Sequence, residues 1–386
     1  MTTVSSRLRS FVVNMLALGI GLIAAVLLLE FLLHFFNPFQ ARIKGNRIVL
    51  LTNKQYHIKN DIIPTLDPVI DQRRNALGFR GPDPPPDLAS KLSLISIGGS
   101  TTQCFFLSDG KTWTDRLGDR LTKTFRDVWV NNAGLDGHST YGHLVLLEDH
   151  VAKLHPKVVL FLIGANDVGR DPNVEFDAEN IKGPISFHSP TAFIKSLSPY
   201  SEVASLIANL YRSLNAYKEG LIHQKIELAK AGYFDPSPEA EREALAGSAS
   251  EHYLQGFEER VRKLIKISKA NGIEPVLVTQ PILAGAGKDD VTGVDLARVM
   301  VSPGHNGKMW WDALEKYNDV TRRVGQENGL LVIDMAHELP KSSRYYYDFI
   351  HYTNAGADKI GEIIYDHLCP DLSSHFAAYA KGPCQN

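Results

Sequence analysis

The sequence predicts an α/β fold in which a parallel five-stranded sheet lies between two layers of helices, with a helical insertion and an N-terminal transmembrane helix. Two observations predict the layers. Short apolar runs typical of buried strands alternate with stretches of helical periodicity, and glycines and polar residues follow several of these runs directly. A third observation, a long apolar segment near the N-terminus, predicts the membrane span.

Length and composition exclude some classes of protein. The chain has 386 residues, of which 44% are hydrophobic and 22% charged, enough to bury one large domain with additions. Its formal net charge of -2 gives no indication of a nucleic-acid partner or an acidic substrate. We therefore expect no nucleic acid to bind, and composition does not determine the oligomeric state.

Residues 1–37 are predicted to form a membrane anchor, with the span at about 11–36. Asn14 is the only strongly polar side chain between 11 and 29, and the apolar run resumes after Glu30. About 20 such residues match the ~30 Å hydrocarbon core of a bilayer. A cleavable signal peptide is the competing interpretation, but the run is long and lacks a clear small-x-small cleavage site. A buried soluble helix is a third possibility, although no polar residues alternate through the run.

The charges that flank the span do not decide its orientation. Arg7 and Arg9 precede it, whereas Arg42, Lys44 and Arg47 follow it.

The cysteines favour an oxidising compartment. Cys369 and Cys384 bracket a short C-terminal segment that a disulfide between them would close. Cys104 would then have no cysteine to pair with. Three unrelated thiols are the alternative. We expect a single-pass signal anchor with the N-terminus in the cytoplasm and the domain outside, on the periplasmic or outer face.

Residues 38–90 are predicted to be a stalk and lead-in, because they contain no clear long periodic helix and four prolines crowd positions 82–86. Leu77, Gly78 and Phe79 are candidates for packing on the domain that follows. That domain is predicted to span 91–370, with a C-terminal tail at 371–386.

The elements of the domain follow a β-α-β-α-β order, which implies a parallel sheet with helices on both faces. Strand-like runs occupy 92–97, 128–131 and 158–163, and helical periodicity covers 113–125 and the stripe Leu144, Leu147, Val151 and Leu154. Two further units follow. Helices at 257–270 and 310–328 lead into strands at 275–279 and 330–333, and a last helix runs from 354 to 368.

Residues 171–250 form an insertion without a strand pattern. It is interrupted by prolines, among them Pro190, Pro199, Pro236 and Pro238, and the segments 203–217 and 221–231 are amphipathic helix candidates. A lid or substrate-binding wall is one interpretation, and a structural elaboration or packing surface for another subunit is the other.

Polar residues follow the predicted strands at the edge where open parallel sheets bind ligands. Each motif alone is common in turns and caps, but their joint occurrence predicts a site. They are Gly98 to Thr101 after the first strand, Asn132 to His138 after the second, Gly164 to Asp167 after the third, and the pair Asp348 and His351 after the last.

These motifs resemble the four blocks of the SGNH (GDSL-type) hydrolase family. The family has a serine, a glycine, an asparagine in Gly-x-Asn-Asp, and Asp-x-x-His. The corresponding residues here are Ser100, Gly137, Asn166, and Asp348 with His351. The resemblance covers about 92–368 and implies a flavodoxin-like three-layer fold and ester hydrolysis.

Two details of the resemblance stay open. Gly99 stands where the family usually has an aspartate, and Thr101 stands where a leucine is often found, which leaves the substrate class undecided. Gly134 is a nearby alternative to Gly137 for the second block.

The physical roles follow from the residue types. The Ser100 hydroxyl would attack an ester carbonyl, His351 would accept its proton and return it to the leaving alcohol, and Asp348 would orient the imidazole. The N–H groups of Ser100 and Gly137 and the Asn166 amide would form the oxyanion hole. A glycine at 137 is expected because a side chain there would block the approach of the backbone to substrate.

Other chemistries fit less well. The nucleophile elbow of α/β-hydrolases needs a glycine two residues after the serine, where this chain has Thr102. Ser108 and Lys111 fit Ser-x-x-Lys but lack the partner motifs. No zinc-helix, phosphate-loop or paired-cysteine pattern occurs, so we expect no metal and no cofactor.

Several neighbouring residues have two interpretations each. His138 is expected to be packed or at the surface, with a substrate contact as the alternative. Asp167 is expected to support Asn166. The three tyrosines from Tyr345 to Tyr347 form either a packed cluster or an aromatic platform for a sugar.

The sequence thus predicts a membrane-anchored serine esterase that removes acetyl or other short acyl groups, most plausibly from an extracytoplasmic glycan. An O-acyltransferase that uses the same acyl-enzyme is the first alternative. A non-catalytic scaffold or glycan-binding module of an envelope assembly is the second, and the intact set of reactive residues argues against it.

Overall fold

The computed structural model describes residues 2–36, 43–44, 47–170, 185, 187, 189–218, 223 and 225–384. The chain divides into two compact units. We call Met1–Val49 with Glu179–Ile222 the N-terminal unit, and Leu50–Ala178 with His223–Asn386 the main unit.

The strands form one large sheet and three small antiparallel pairs. The large sheet has the order β11-β8-β7-β5-β6, and all its neighbours are parallel. The strands are β1 (Ile43–Lys44), β2 (Arg47–Ile48), β3 (Lys54–Lys59), β4 (Val69–Arg74), β5 (Leu92–Gly98), β6 (Val128–Asn132), β7 (Val158–Ile163), β8 (Glu274–Thr279), β9 (Met300–Ser302), β10 (His305–Asn306) and β11 (Val332–Ile333). The predicted five-stranded parallel sheet is confirmed.

The helices of the main unit fall into two groups, α3 with α11 and α4 with α8 and α9, which form the layers on either side of the sheet. Helix α4 continues into a π-helical turn, Leu147–Val151, and a 3-10 turn, Ala152–Leu154. The helices are α1 (Thr2–Phe35), α2 (Ser100–Gln103), α3 (Trp113–Thr124), α4 (Thr140–Leu146), α5 (Pro190–Leu197), α6 (Glu202–Lys218), α7 (Pro238–Ala249), α8 (Glu251–Ala270), α9 (Gly307–Glu327), α10 (Met335–Glu338) and α11 (Asn354–His375).

The central strands β5 and β7 are mostly apolar because helices cover both of their faces, and every residue of both strands is buried, including Ser93 and Ser96. Leu94 of β5 lies in register with Val158 of β7 on one side and Val130 of β6 on the other. This arrangement brings the carboxyl ends of three consecutive strands to the same edge of the sheet.

Helix α3 shows why the periodic segments form helices. Thr112 accepts a hydrogen bond from the backbone of Asp115, whose side chain accepts one from the Thr112 backbone in return, a capping box. Trp113, Leu117 and Leu121 then recur every four residues and are fully buried.

The part of residues 38–90 that begins at Leu50 packs within the main unit. Strands β3 and β4 form an antiparallel hairpin. Ile63 and Ile70 belong to the same core cluster as the large sheet, and Phe79, one of the packing candidates, is buried.

The two helices expected within the insertion differ in outcome. The segment 203–217 forms α6, one residue longer at each end. The prediction for 221–231 was wrong: among its described residues only Leu228–Lys230 forms a helical turn, of the 3-10 type. Ile226 instead donates a backbone hydrogen bond to the Tyr347 carbonyl, which places it beside the site described below.

In the N-terminal unit, Arg9–Phe35 of α1 is long and apolar enough to cross a membrane by length and composition, with a mean hydropathy of 2.6. Helices α5 and α6 pack together, and α6 also contacts α1 and β1.

Cys369 and Cys384 form a disulfide, so the sequence interpretation that paired them holds in the structure. The bond ties the end of the chain to α11. Cys104 is buried and unpaired.

Candidate active site

Ser100 lies at the carboxyl edge of the sheet, immediately after β5, as the first residue of α2. The two preceding glycines make this sharp turn possible. A Cβ on Gly98 would lie 2.1 Å from Thr102 Oγ1, and one on Gly99 would lie 2.4 Å from Asn166 Nδ2. The departure at Gly99 from the family's usual aspartate therefore has a steric reason: the Asn166 amide occupies the space of a side chain.

His351 and Asp348 form the basic half of the site. The Nδ1–H of His351 donates to Asp348 Oδ2 at 2.6 Å. The other carboxylate oxygen accepts the backbone N–H groups of Ile350 (2.8 Å) and His351 (2.6 Å). Because Asp348 is buried and fully hydrogen-bonded, it fixes both the tautomer and the orientation of the imidazole.

The fold brings Ser100 to this pair across 251 positions of sequence. With Nδ1 occupied by Asp348, Nε2 of His351 accepts the Ser100 hydroxyl at 2.7 Å. The three predicted residues thus form a continuous hydrogen-bonded chain, the arrangement in which a serine can be deprotonated for attack.

Gly137 and Asn166 lie on the loops that follow β6 and β7. The Asn166 amide donates to the His138 carbonyl at 3.0 Å, which holds it beside Gly99. In the described part of the chain the Gly137 N–H has no hydrogen-bond acceptor. The N–H of the alternative, Gly134, donates to Asn132 Oδ1, so the structure favours Gly137.

The backbone conformation gives a further reason for glycine at 137. Its φ of +71° lies in the left-handed region, which favours glycine. A Cβ there would meet no protein atom within 4 Å, so crowding by the protein does not require glycine, and the expected effect on substrate approach stays a prediction. The crowded glycine is Gly134, whose Cβ would lie 2.3 Å from the backbone N of Gln103.

Asp167 is a structural residue that connects three elements. Its carboxylate accepts from the backbone and hydroxyl of Thr140 at the start of α4, and it pairs with Arg260 of α8 at 3.4 Å. Burial raises the pKa of Asp167, whereas the charge of Arg260 and the Thr140 hydrogen bonds lower it. The network holds the end of β7, and with it Asn166, against the helices.

Arg80 supports the nucleophile, and no pattern in the sequence indicated it. Its buried guanidinium donates to the carbonyls of Gln103 (2.9 Å) and Cys104 (2.8 Å), where α2 ends, and to that of Leu107 (2.7 Å). An ion pair with Asp109 at 2.8 Å compensates the charge. A residue of the expected lead-in therefore fixes the helix that carries Ser100.

Gln280, the residue after β8, connects the two halves of the site. Its Oε1 accepts the Thr101 hydroxyl (3.1 Å), and its Nε2 is 3.2 Å from the Tyr352 hydroxyl. These partners are the chain neighbours of Ser100 and His351. A glutamine directly after a predicted strand was the available indication, and the sequence analysis missed it.

His223 is a second histidine at the site that sequence reasoning did not find. Its ring lies 4.2 Å from that of His351, and its Nδ1 lies 2.8 Å from the Tyr347 hydroxyl. Its Nε2 is 3.7 Å from the Asp136 carboxylate. The segment around it carries no motif, so only the fold places it here.

His223, Asp348 and His351 offer ligand atoms within 4.8 Å of one another, close enough to hold a metal ion. However, both carboxylate oxygens of Asp348 and both ring nitrogens of His351 already take part in the hydrogen bonds described above. We therefore derive no metal-dependent step.

The remaining candidates have structural positions. His138 is packed, and Tyr346 and Tyr347 are buried in the core, so two of the three tyrosines do not form an open platform. Ser108 donates to Asp67, which also pairs with Lys111, so this pair serves a hydrogen-bond network.

A small hollow lies beside the nucleophile. Cys104, Leu107, Tyr347 and Tyr352 line it together with Ser100 and His351. Burial raises the pKa of Cys104 to about 12, so its thiol stays protonated and inert in this wall.

The three-layer fold, with a parallel sheet between two layers of helices, and the residues at the carboxyl edge of this sheet define the class of SGNH-type ester hydrolases. The chain belongs to the GDSL-like lipase/acylhydrolase family, whose model matches residues 96–359, and it is an ester hydrolase of that family. No curated protein is significantly similar to it in sequence.

Several solved structures are similar to this chain. An acetylxylan esterase from Geobacillus stearothermophilus is 15% identical, with 72% of this chain and 93% of that chain covered and a TM-score of 0.40. An alpha/beta hydrolase enzyme from the metagenome of Lake Arreo, Spain, is 15% identical, with 71% and 94% covered and a TM-score of 0.39. At these low scores, the substrate of this chain has to be argued from its own residues.

Proposed function

We propose that this protein is a membrane-anchored serine esterase that hydrolyses a short acyl ester, most plausibly acetyl, on an extracytoplasmic glycan. The observation that carries the proposal is the hydrogen-bonded chain from Ser100 through His351 to Asp348. The family supplies the ester chemistry, and the geometry supports the roles of these residues.

The catalytic cycle would begin when Ser100 Oγ attacks the ester carbonyl while its proton passes to His351 Nε2. The N–H groups of Ser100 and Gly137 and the Asn166 amide would stabilise the oxyanion. Collapse expels the alcohol, which takes the proton from His351 and leaves an acyl-serine. Water then attacks with His351 as base, releasing the carboxylic acid and restoring the serine.

The lining of the hollow supports a short acyl group. The hollow beside Ser100 is small, and the buried side chains of Cys104, Leu107, Tyr347 and Tyr352 form its walls. We therefore expect hydrolysis rates to fall as the acyl chain lengthens.

Two features support the cellular location. The apolar helix Arg9–Phe35 has the length of a membrane span. The disulfide between Cys369 and Cys384 suits an oxidising compartment. A tethered domain in such a compartment reaches polymers of the cell envelope, and a sugar hydroxyl is the alcohol we propose as the leaving group.

The test is hydrolysis of p-nitrophenyl esters by the full-length protein in detergent. Wild type should cleave the acetate faster than the octanoate. Ser100→Ala should lower the acetate rate by about 10³-fold or more, since triad serines contribute that much. Ser108→Ala is the matched control, because the Ser108 hydroxyl bonds to Asp67 and to the Asp71 backbone and not to the triad, and it should retain activity.

Equal rates for wild type and Ser100→Ala would disprove the mechanism. Adding an oligosaccharide acceptor distinguishes the two uses of the acyl-enzyme. An acylated sugar formed in preference to free acetate would show a transferase instead of a hydrolase.

A further inference from the structure

The exposed apolar side chains of the described residues are concentrated in one part of the chain besides α1. Beyond Phe36, twelve large hydrophobic residues are exposed, and seven of them lie between 185 and 214. The other five are scattered singly over the main unit. The seven are Ile185, Phe187, Tyr200, Ile207, Leu210, Tyr211 and Leu214.

Helix α6 presents four of them as a stripe. Ile207, Leu210, Tyr211 and Leu214 recur at spacings of three, four and seven residues, so they share one face of the helix. Each is 41–59% exposed. We call these four residues the α6 stripe.

The other side of α6 is buried and small. Ala204, Ser205 and Ala208 are at most 7% exposed. Small residues spaced four apart allow two helices to approach closely, as they do in membrane helix pairs. Helix α6 contacts α1, on which Leu33 is buried within the same unit.

A carboxylate on α1 holds the first turn of α6. Glu30 accepts the Ser201 hydroxyl at 2.9 Å, the Val203 N–H at 3.1 Å and the Glu202 N–H. A charge inside an apolar helix is costly unless it is satisfied, and the positive end of α6 with three donors satisfies it.

Glu30 also fixes the position of α6 along the length of α1. It lies five residues before α1 ends at Phe35, and α6 further contacts β1, which follows the span. Helix α6 therefore lies where α1 leaves the hydrocarbon core.

We propose that α6 is a membrane-interface helix whose stripe inserts into the lipid beside α1. The proposal rests on the proposed function only in that α1 is an anchor. Lipid is the occupant that the structure favours, because α6 packs against α1 and Glu30 bonds its first turn near the end of the apolar span. Tyr211 and the adjacent Lys195, whose ammonium lies 5.7 Å from the Tyr211 ring, suit the headgroup region.

One consequence concerns processing. Removal of α1 as a signal peptide would leave the first turn of α6 without its carboxylate. The contacts of Glu30 thus argue for an anchor that stays attached.

The test places a fluorophore at three positions of the full-length protein in phosphatidylcholine vesicles, some containing bromine-labelled lipid as quencher. The variants are Leu214→Cys on the stripe, Ser213→Cys one residue off it, and Leu18→Cys in the span. Cys104 is buried and the other cysteines are bonded, so labelling is specific. Ester hydrolysis in each variant reports that the main unit is folded.

We expect strong quenching at Leu18 and Leu214, and quenching at Ser213 weaker by about twofold or more, as for a helix lying in the interface. Quenching at Leu18 with none at Leu214 would overturn the α6 proposal and leave the anchor intact. No quenching at Leu18 would overturn both. Self-quenching between labels at Leu214, without lipid quenching, would show a second copy on the stripe and also overturn the proposal.

Discussion

Gly99 connects Ser100 with Asn166 of the proposed oxyanion hole. A Cβ at position 99 would lie only 2.4 Å from the Asn166 amide nitrogen, which is too close for both atoms to keep their places. An aspartate, usual in the family at this position, would displace that amide or the turn that presents Ser100. The glycine at position 99 therefore permits the Asn166 amide to lie close to the turn that carries Ser100.

We expect Gly99→Ala to lower the turnover of p-nitrophenyl acetate by about 10²-fold, the typical effect of losing one oxyanion donor. Steady-state kinetics at saturating substrate would measure it. Gly247→Ala is the matched control, since a Cβ there meets nothing within 4 Å, and it should be neutral. Full activity of Gly99→Ala would contradict the proposed role of Asn166.

Sequence motifs indicated some residues of the site and not others. Ser100, Asp348 and His351 stand in short motifs with fixed spacing, so they were found, and their catalytic roles remain predictions. Gln280 and His223 stand in no motif. Their importance comes from contacts across the fold, with residues next to Ser100 and with the His351 ring itself.

At the scale of elements, the short helix α2 depends on Arg80 for its C-terminal carbonyls. Four residues cannot stabilise a helix by themselves. We expect Arg80→Met to remove three hydrogen bonds to buried carbonyls and the ion pair with Asp109. Since a hydrogen bond from a charged group contributes about 1.5–3 kcal/mol, the variant should lose about 3 kcal/mol or more of stability.

Urea unfolding followed by circular dichroism would measure this loss, and the ester hydrolysis rate should fall with it. Arg73→Met is the matched control. Arg73 forms an exposed pair with Asp83, and such pairs contribute about 1 kcal/mol or less. Equal stability of the two variants would refute the role of Arg80.

The contact between α8 and α9 predicts a pH dependence. Hydrogen bonds from Arg323 and Arg262 lower the pKa of Glu258 to about 2 from its ordinary 4.5. A depressed carboxyl pKa stabilises the fold above pH 4.5, and this stabilisation is lost as the pH falls toward about 2. Since these side chains are partly exposed, we expect about 1 kcal/mol.

Glu258→Gln should therefore lower the urea midpoint at pH 7 and have little effect near pH 2.5. Glu259→Gln, the neighbouring substitution, serves as control. An effect of Glu258→Gln that is independent of pH would point to lost packing instead of lost charge.

At the scale of the whole molecule, the disulfide closes the C-terminal segment over a sequence separation of 15 residues. A loop of that length is worth roughly 3 kcal/mol. We expect the double variant Cys369→Ala and Cys384→Ala to unfold at lower urea concentration while keeping its hydrolysis rate at low temperature. Reduction of wild type should reproduce the shift, and an unchanged urea midpoint would show that the bond contributes nothing.

The sequence by itself determined the order of elements and the parallel sheet, because buried strands and periodic helices leave local patterns that need no knowledge of distant contacts. It also located the serine, histidine and aspartate motifs. The tertiary structure alone decided the fate of segments without a pattern. Within the expected helix at 221–231, the described residues His223 and Ile226 contact Tyr347 beside the site instead of continuing a helix.

The same holds for Arg80 and Glu30. Arg80 stands in a stretch without a motif and Glu30 within the apolar span, and each acquires its role from backbone groups far along the chain, at the ends of α2 and α6. Local sequence encodes periodicity and turns, whereas the cost of burying a charge is settled only by the donors and acceptors that folding brings to it. The nucleophile motif was therefore readable from the sequence, and the residues that hold it were not.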